Sequence, residues 1–205
     1  ERPTSRPDVV ALEGYHSPQM DVAVRLNTNE SPLPPPAEFA DALAEATRAI
    51  GWNRYPDRGA VRLRTALAER YGVGADQVFA ANGSNEVIQS LLLAYGGSGR
   101  SVAVFEPTYA MYALIARSTG TRVVRGRREP DFALAPTVVA DLLDTERPDL
   151  VVLCSPNNPT GTLDPGNLVS EVVEAAGSYG GLVVVDEAYG QFAQRSAVDL
   201  LDNDR

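Results

Sequence analysis

The sequence predicts an α/β protein with a mostly parallel sheet and helices on both faces. Three observations predict it. Continuous valine and leucine runs recur at Ser101–Phe105, Leu150–Cys154 and Leu182–Asp186, as in strands buried on both sides. Segments of helical spacing separate them. No repeat or low-complexity tract breaks the alternation, which is the pattern of strand–helix–strand units.

The elements follow in order. Residues 1–36 carry much of the proline (Pro3, Pro7, Pro18, Pro32 and Pro34–Pro36) and no sustained period, so they read as an irregular arm with a short strand at Val22–Leu26. Phe39, Leu43, Ala46 and Ile50 then share one helical face, and Gly51 stops that helix. Leu63, Leu67 and Tyr71 mark a second helix, stopped by Gly72. A short strand is expected at Val78–Ala81, and Asn82-Gly83-Ser84 leads into a helix carrying Val87, Ile88, Leu91, Leu92 and Tyr95. Strands at Ser101–Phe105, Thr121–Arg125, Leu150–Cys154 and Leu182–Asp186 then alternate with helices at Thr108–Thr119, Pro136–Leu143 and Pro165–Tyr179.

Composition bounds the function. At 205 residues the chain makes one large domain or one domain with an appendage. Hydrophobic residues at 44% and charged residues at 22% exclude overall disorder. The net charge of −9 argues against nonspecific nucleic-acid or anionic-membrane binding. The longest apolar runs are strand-sized, so no membrane span is expected, and a single cysteine without a leader fits the cytoplasm. All 18 basic residues are arginine. Chemistry that needs a lysine amine, such as a Schiff base or a phosphate-loop lysine, therefore lacks its residue here.

In open parallel sheets, ligands bind beyond the carboxyl ends of the strands. Four polar clusters fall there: Asn82–Asn85, Pro107–Tyr109, Ser155–Gly161 and Asp186–Tyr189. Together they predict a small-molecule site that holds a phosphate. Gly83-Ser84-Asn85-Glu86 opens a helix, where free amides and the dipole favour an anion; the same residues also suit a plain cap by Ser84 or Asn85. In Ser155–Gly161, prolines flank an asparagine pair and stiffen the turn from which Asn158 projects its amide. Asp186 ends an apolar run, where a carboxylate is costly unless paired. Its partner is either a protonated ring nitrogen or a neighbouring arginine or helix start. Tyr189 either presents its phenol to the same ligand or packs half-buried. Cys154 reads as buried packing and His16 as incidental.

The order GSNE, PTY, SPNNPTG, DEAY resembles the fold-type I pyridoxal-phosphate aminotransferases, and within them the histidinol-phosphate aminotransferase branch. Leu26–Pro32 resembles that branch's N-terminal asparagine loop, and Asn53-Arg54-Tyr55-Pro56-Asp57 its NRYPD segment. The resemblance runs from about Tyr15 to the end of the chain. It implies pyridoxal 5'-phosphate as cofactor, with Asp186 on the ring nitrogen and Asn158 and Tyr189 on the 3-hydroxyl oxygen. Tyr109 would stack on the ring, and Ser84 and Asn85 would hold the phosphate. Tyr55 would reach the phosphate of a neighbouring subunit in a homodimer. Asn29 and Tyr15 would line the substrate entrance. No metal is implied. The reaction implied exchanges amino and keto groups between an amino donor and a 2-oxo acid: histidinol phosphate with 2-oxoglutarate, giving imidazole-acetol phosphate and glutamate.

The chain departs from the pattern in one respect. The family's Schiff-base lysine is expected on a strand beyond Arg205, together with the substrate-binding arginines. The resemblance therefore implies an incomplete fold: residues 1–50 as arm and first helix of a small domain, and 51–205 as part of the large cofactor-binding domain. Two strands expected after Arg205 would sit between Val78–Ala81 and Leu150–Cys154. The alternatives are another class I/II aminotransferase, a threonine-phosphate decarboxylase, or a lysine-free fragment that binds cofactor or a partner without turnover.

Overall fold

Strands β1 (Ser101–Glu106), β2 (Arg122–Arg127), β3 (Leu150–Cys154) and β4 (Leu182–Asp186) form one parallel sheet in the order β2-β1-β3-β4. The computed structural model describes residues 2–12, 18, 20–25 and 27–201. Because side chains alternate across a strand, each apolar run feeds two cores. Val102, Val104, Leu150, Val152 and Cys154 pack on Ile88 and Leu92 of α4 (Ser84–Tyr95) and on Tyr112, Ile115 and Ala116 of α5 (Met111–Ser118). Ala103, Phe105, Val151 and Leu153 face the other way. They meet Val139 and Leu143 of α6 (Pro136–Glu146) and Leu168, Val172 and Ala176 of α7 (Leu168–Gly177). The continuous hydrophobicity of β1 and β3 is thus explained by helices on both faces.

The two edges of the sheet differ. Outer strand β2 carries Arg122, Arg125 and Arg127, and pairs Arg122 with Glu146 and Arg125 with Glu106, a charged edge that resists further pairing. Its Gly126 makes room for Phe105, whose ring would clash with an added Cβ. Outer strand β4 reads Leu-Val-Val-Val-Asp, the composition of an interior strand, yet no strand pairs with its outer side among the described residues.

Two expected strands are corrected. Residues 78–81 run irregularly, and so do residues 22–25; Leu26 lies outside the described residues. Propensity alone does not make a strand without a partner to accept its hydrogen bonds, and neither segment has one among the described residues. The arm instead contains one helical turn, α1 (Pro7–Val10), tied to α5 by Arg6 donating to the Ser118 carbonyl at 2.6 Å. Helix α2 (Ala37–Arg48) ends at Ala49, before Gly51, and buries none of its residues. Helix α3 (Val61–Tyr71) ends on Gly72 at φ +70° as expected.

Helices α5 and α7 each begin three residues later than their periodicity suggests, and the residue at or just before each expected start is held in a loop contact instead. Thr108 bonds Asn157, and Asp164 bonds Arg128. Among the described residues, no helix is long and apolar enough to cross a membrane.

Candidate active site at the strand ends

The loop after β3 is built around Asn157, which is 1% exposed. Its Oδ1 accepts from the Thr108 hydroxyl at 2.8 Å, and its Nδ2 donates to the Pro107 carbonyl at 3.0 Å and to Thr160 Oγ1 at 2.8 Å. One asparagine of the pair therefore staples the loop after β1 to the loop after β3. The other, Asn158, is half-buried, and its side chain makes no hydrogen bond among the described residues. Its backbone N–H donates to Cys154 Sγ at 3.4 Å, so the thiol contributes a hydrogen bond as well as packing. Burial pushes the Cys154 thiol pKa up, against a smaller lowering by the Tyr112 phenol.

A buried ion pair closes the same loop at its base. Arg128 Nη1 donates to Asp164 Oδ1 at 2.7 Å and Nη2 to Oδ2 at 3.2 Å, with the side chains 1% and 0% exposed. Arg128 also reaches the Cys154 carbonyl at 3.5 Å, so a single guanidinium spans the entry and exit of the turn that carries Asn158. Nothing in the motif pattern flagged this pair.

Asp186 stands at the end of β4, opposite Cys154 in the sheet register. Its carboxylate is paired, but neither with an arginine nor with a helix start. Oδ2 accepts from the Tyr112 hydroxyl at 2.6 Å and Oδ1 from the Ala188 N–H at 2.9 Å. Tyr112 was missed as a site residue because its position reads as the apolar face of α5. Its only sequence signal was the second tyrosine of Tyr109-Ala110-Met111-Tyr112. Tyr109 meets the Tyr112 ring edge-on, at 5.4 Å between centroids and 83° between planes, and its hydroxyl donates to Asn85 Oδ1 at 3.2 Å.

At the start of α4 the plain-cap reading fails. Gly83 at φ +79° is the capping position and no side chain caps the helix; Ser84 and Asn85 lie inside its first turn. The leading amides of α4 thus face outward beside Tyr109 without a side-chain acceptor from the cap residue, the arrangement that suits an anion.

An open cavity of about 990 Å³ is lined by Asn29, Pro156, Asn158, Tyr189, Gln191 and Phe192, among others. Asn29 Nδ2 donates to the Tyr189 hydroxyl at 2.7 Å, joining the arm to the loop after β4. The structure therefore gathers Asn29, Asn158 and Tyr189 around one cavity. Asp186, Tyr109 and Asn85 belong to the adjoining Tyr112 network. Tyr55 joins neither and is 99% exposed. Its segment does have one task within the chain: Asp57 accepts from the Gly59 and Val61 N–H groups at 2.9 and 2.8 Å, capping α3. Those two bonds hold the Asp57 carboxyl below its ordinary pKa. Tyr15 and His16 lie outside the described residues.

A parallel α/β sheet with an acidic strand end, a stiff Asn-Pro turn and an uncapped helix start defines a small-molecule-binding enzyme scaffold. The chain belongs to the family described as aminotransferase class I and II, whose pattern matches residues 21–204. It is 52% identical over 198 residues to the histidinol-phosphate aminotransferase of Frankia casuarinae, covering 91% of this chain and 49% of that protein. It is 41% identical over 208 residues to the histidinol-phosphate aminotransferase of Corynebacterium diphtheriae, covering 97% and 56%. Among solved structures, a mutant aspartate aminotransferase of Thermus thermophilus superposes with a TM-score of 0.76 at 25% identity, covering 90% of this chain and 50% of that one. The chain thus spans about half the length of these relatives.

Proposed function

We propose that this chain is the cofactor-binding portion of a histidinol-phosphate aminotransferase that uses pyridoxal 5'-phosphate. The observation that carries the proposal is the presence, at one end of the sheet, of the strand-end carboxylate Asp186, an uncapped helix start and an unpartnered Asn158 side chain, in a chain 41–52% identical to enzymes of that name. When bound, pyridoxal phosphate supplies a ring that accepts electrons from the substrate carbon. The chain's own residues bind and orient it. The α4 amides at Ser84 and Asn85 hold the phosphate, Asp186 keeps the ring nitrogen protonated, and Asn158 and Tyr189 hold the 3-hydroxyl oxygen. Tyr109 lies against the ring face. Asn29, already bonded to Tyr189, and Tyr15 line the substrate entrance.

Tyr55 serves the phosphate of a second subunit in a homodimer. Its near-complete exposure supports a role outside its own chain. Residues 1–50 belong with a small domain, which the absence of buried residues in α2 supports. The substrates are histidinol phosphate as amino donor and 2-oxoglutarate as acceptor, in the cytoplasm.

A second reading, binding without turnover, is favoured for the 205-residue chain by one observation: it contains no lysine. One experiment tests both. Pyridoxamine 5'-phosphate, which carries no aldehyde, should bind the chain saturably, and Asp186→Ala should weaken binding at least ~10-fold through the lost charge-assisted contact. Pyridoxal phosphate followed by borohydride should leave no reduced adduct on an internal residue by mass spectrometry. Equal affinity in Asp186→Ala would refute the role of Asp186. An internal adduct would refute reversible binding.

A further inference from the structure

Tyr112 is 1% exposed and buried against the sheet, yet its hydroxyl is aimed at the end of β4 rather than left in the core. It donates to Asp186 Oδ2 at 2.6 Å, while the Ala188 N–H donates to Oδ1 at 2.9 Å. Each carboxylate oxygen is therefore held by one donor, and the donors come from different elements, α5 and the loop after β4. Turning the carboxylate about its terminal torsion would break both bonds at once. Burial, and then the Asp186 charge, push the Tyr112 phenol far above its ordinary pKa, so it stays protonated and donates to the carboxylate. The ring is itself held, edge-on to Tyr109 and in the same buried cluster as Cys154.

We infer that Tyr112 is the positioning residue for Asp186, its phenol holding the carboxylate in the orientation that meets the ring nitrogen of the bound cofactor. This rests on the pyridoxal-phosphate reading above. An apolar residue would fill the same space in the core, so packing does not account for a phenol whose oxygen makes a 2.6 Å bond to this carboxylate. Cys154, whose Sγ accepts from the Asn158 N–H, lies beside the same phenol, so one buried cluster supports both ends of the ring-binding set.

The test uses pyridoxamine 5'-phosphate labelled with ¹⁵N in the ring, bound to the 205-residue chain at mildly alkaline pH. The ring ¹⁵N resonance separates a protonated from a neutral nitrogen, and a merely structural change in α5 would not move it. The wild-type chain should give the protonated signature and Asp186→Asn the neutral one. Tyr112→Phe, which keeps the ring and its packing, should move the resonance towards neutral and weaken binding ~10-fold, as expected for losing a hydrogen bond to a charged group. 3-Fluorotyrosine placed at Tyr112, nearly isosteric and a stronger donor, should keep the wild-type resonance and affinity, and it supplies the comparison if the phenylalanine variant folds poorly. A Tyr112→Phe resonance equal to wild type, with Asp186→Asn shifted, would overturn the role of Tyr112 alone. So would a 3-fluorotyrosine resonance moved towards neutral. A neutral signature already in the wild type would overturn the cofactor reading and this inference with it.

Discussion

Asn157, in the loop after β3, is 1% exposed and bonds through its side chain to Thr108, Pro107 and Thr160. Tyr55, in the loop before α3, is 99% exposed. The same division runs through their surroundings. The strand-end loops are locked by buried polar groups whose partners lie within residues 101–186. The segment before α3 leaves Leu33, Phe39, Leu43, Ile50 and Trp52 on the surface. Site residues on the sheet are thus oriented by the chain's own core. The arm contributes through single contacts such as Asn29 to Tyr189. Burial converts a hydrogen bond into a positional constraint, because a buried group has no water to turn to when its partner moves.

Three substitutions sharpen this contrast. Asp164→Ala should have the largest effect. It leaves Arg128 buried and unpaired, costing about 3–5 kcal/mol of unfolding free energy in urea titration. A loss under ~1 kcal/mol would mean that the guanidinium escapes to solvent and does not hold the turn. Asn157→Ala should cost about 2 kcal/mol, because it releases three hydrogen bonds to partners that water partly reaches. Wild-type stability in that variant would show the two loops to be independent. Tyr55→Ala should shift unfolding by less than ~0.5 kcal/mol. It should weaken pyridoxamine 5'-phosphate binding only under conditions where sedimentation finds a dimer. A destabilised Tyr55→Ala chain would place the ring within its own subunit, and a wild-type chain that stays monomeric at every concentration would remove its role across subunits.

Much of this architecture was legible without coordinates. The four strands of the sheet lie within two residues of their expected limits, and α4 and α6 start where helical spacing put them, while α5 and α7 start three residues late. The strand-end position of Asn158, Asp186 and Tyr189 followed from the same pattern. The failures share a cause. Val22–Arg25 and Val78–Ala81 have strand-like residues but find no neighbouring strand among the described residues. The staple of the loop proved to be Asn157, since only the folded chain brings Thr108 and Pro107 to its amide.

What the sequence determined by itself is whatever depends on neighbours along the chain: apolar runs long enough for buried strands, helical periodicity, a left-handed stop at Gly72, stiff proline turns, and the absence of lysine. What only the tertiary structure decided is which polar side chains meet. Tyr112 and Asp186 are 74 positions apart and Arg128 and Asp164 are 36 apart, yet each pair is buried or half-buried at hydrogen-bond distance. Periodicity places an element and the face it presents. Partners at such separations are chosen by how the elements pack, because a buried polar group is stable only where the fold supplies its complement.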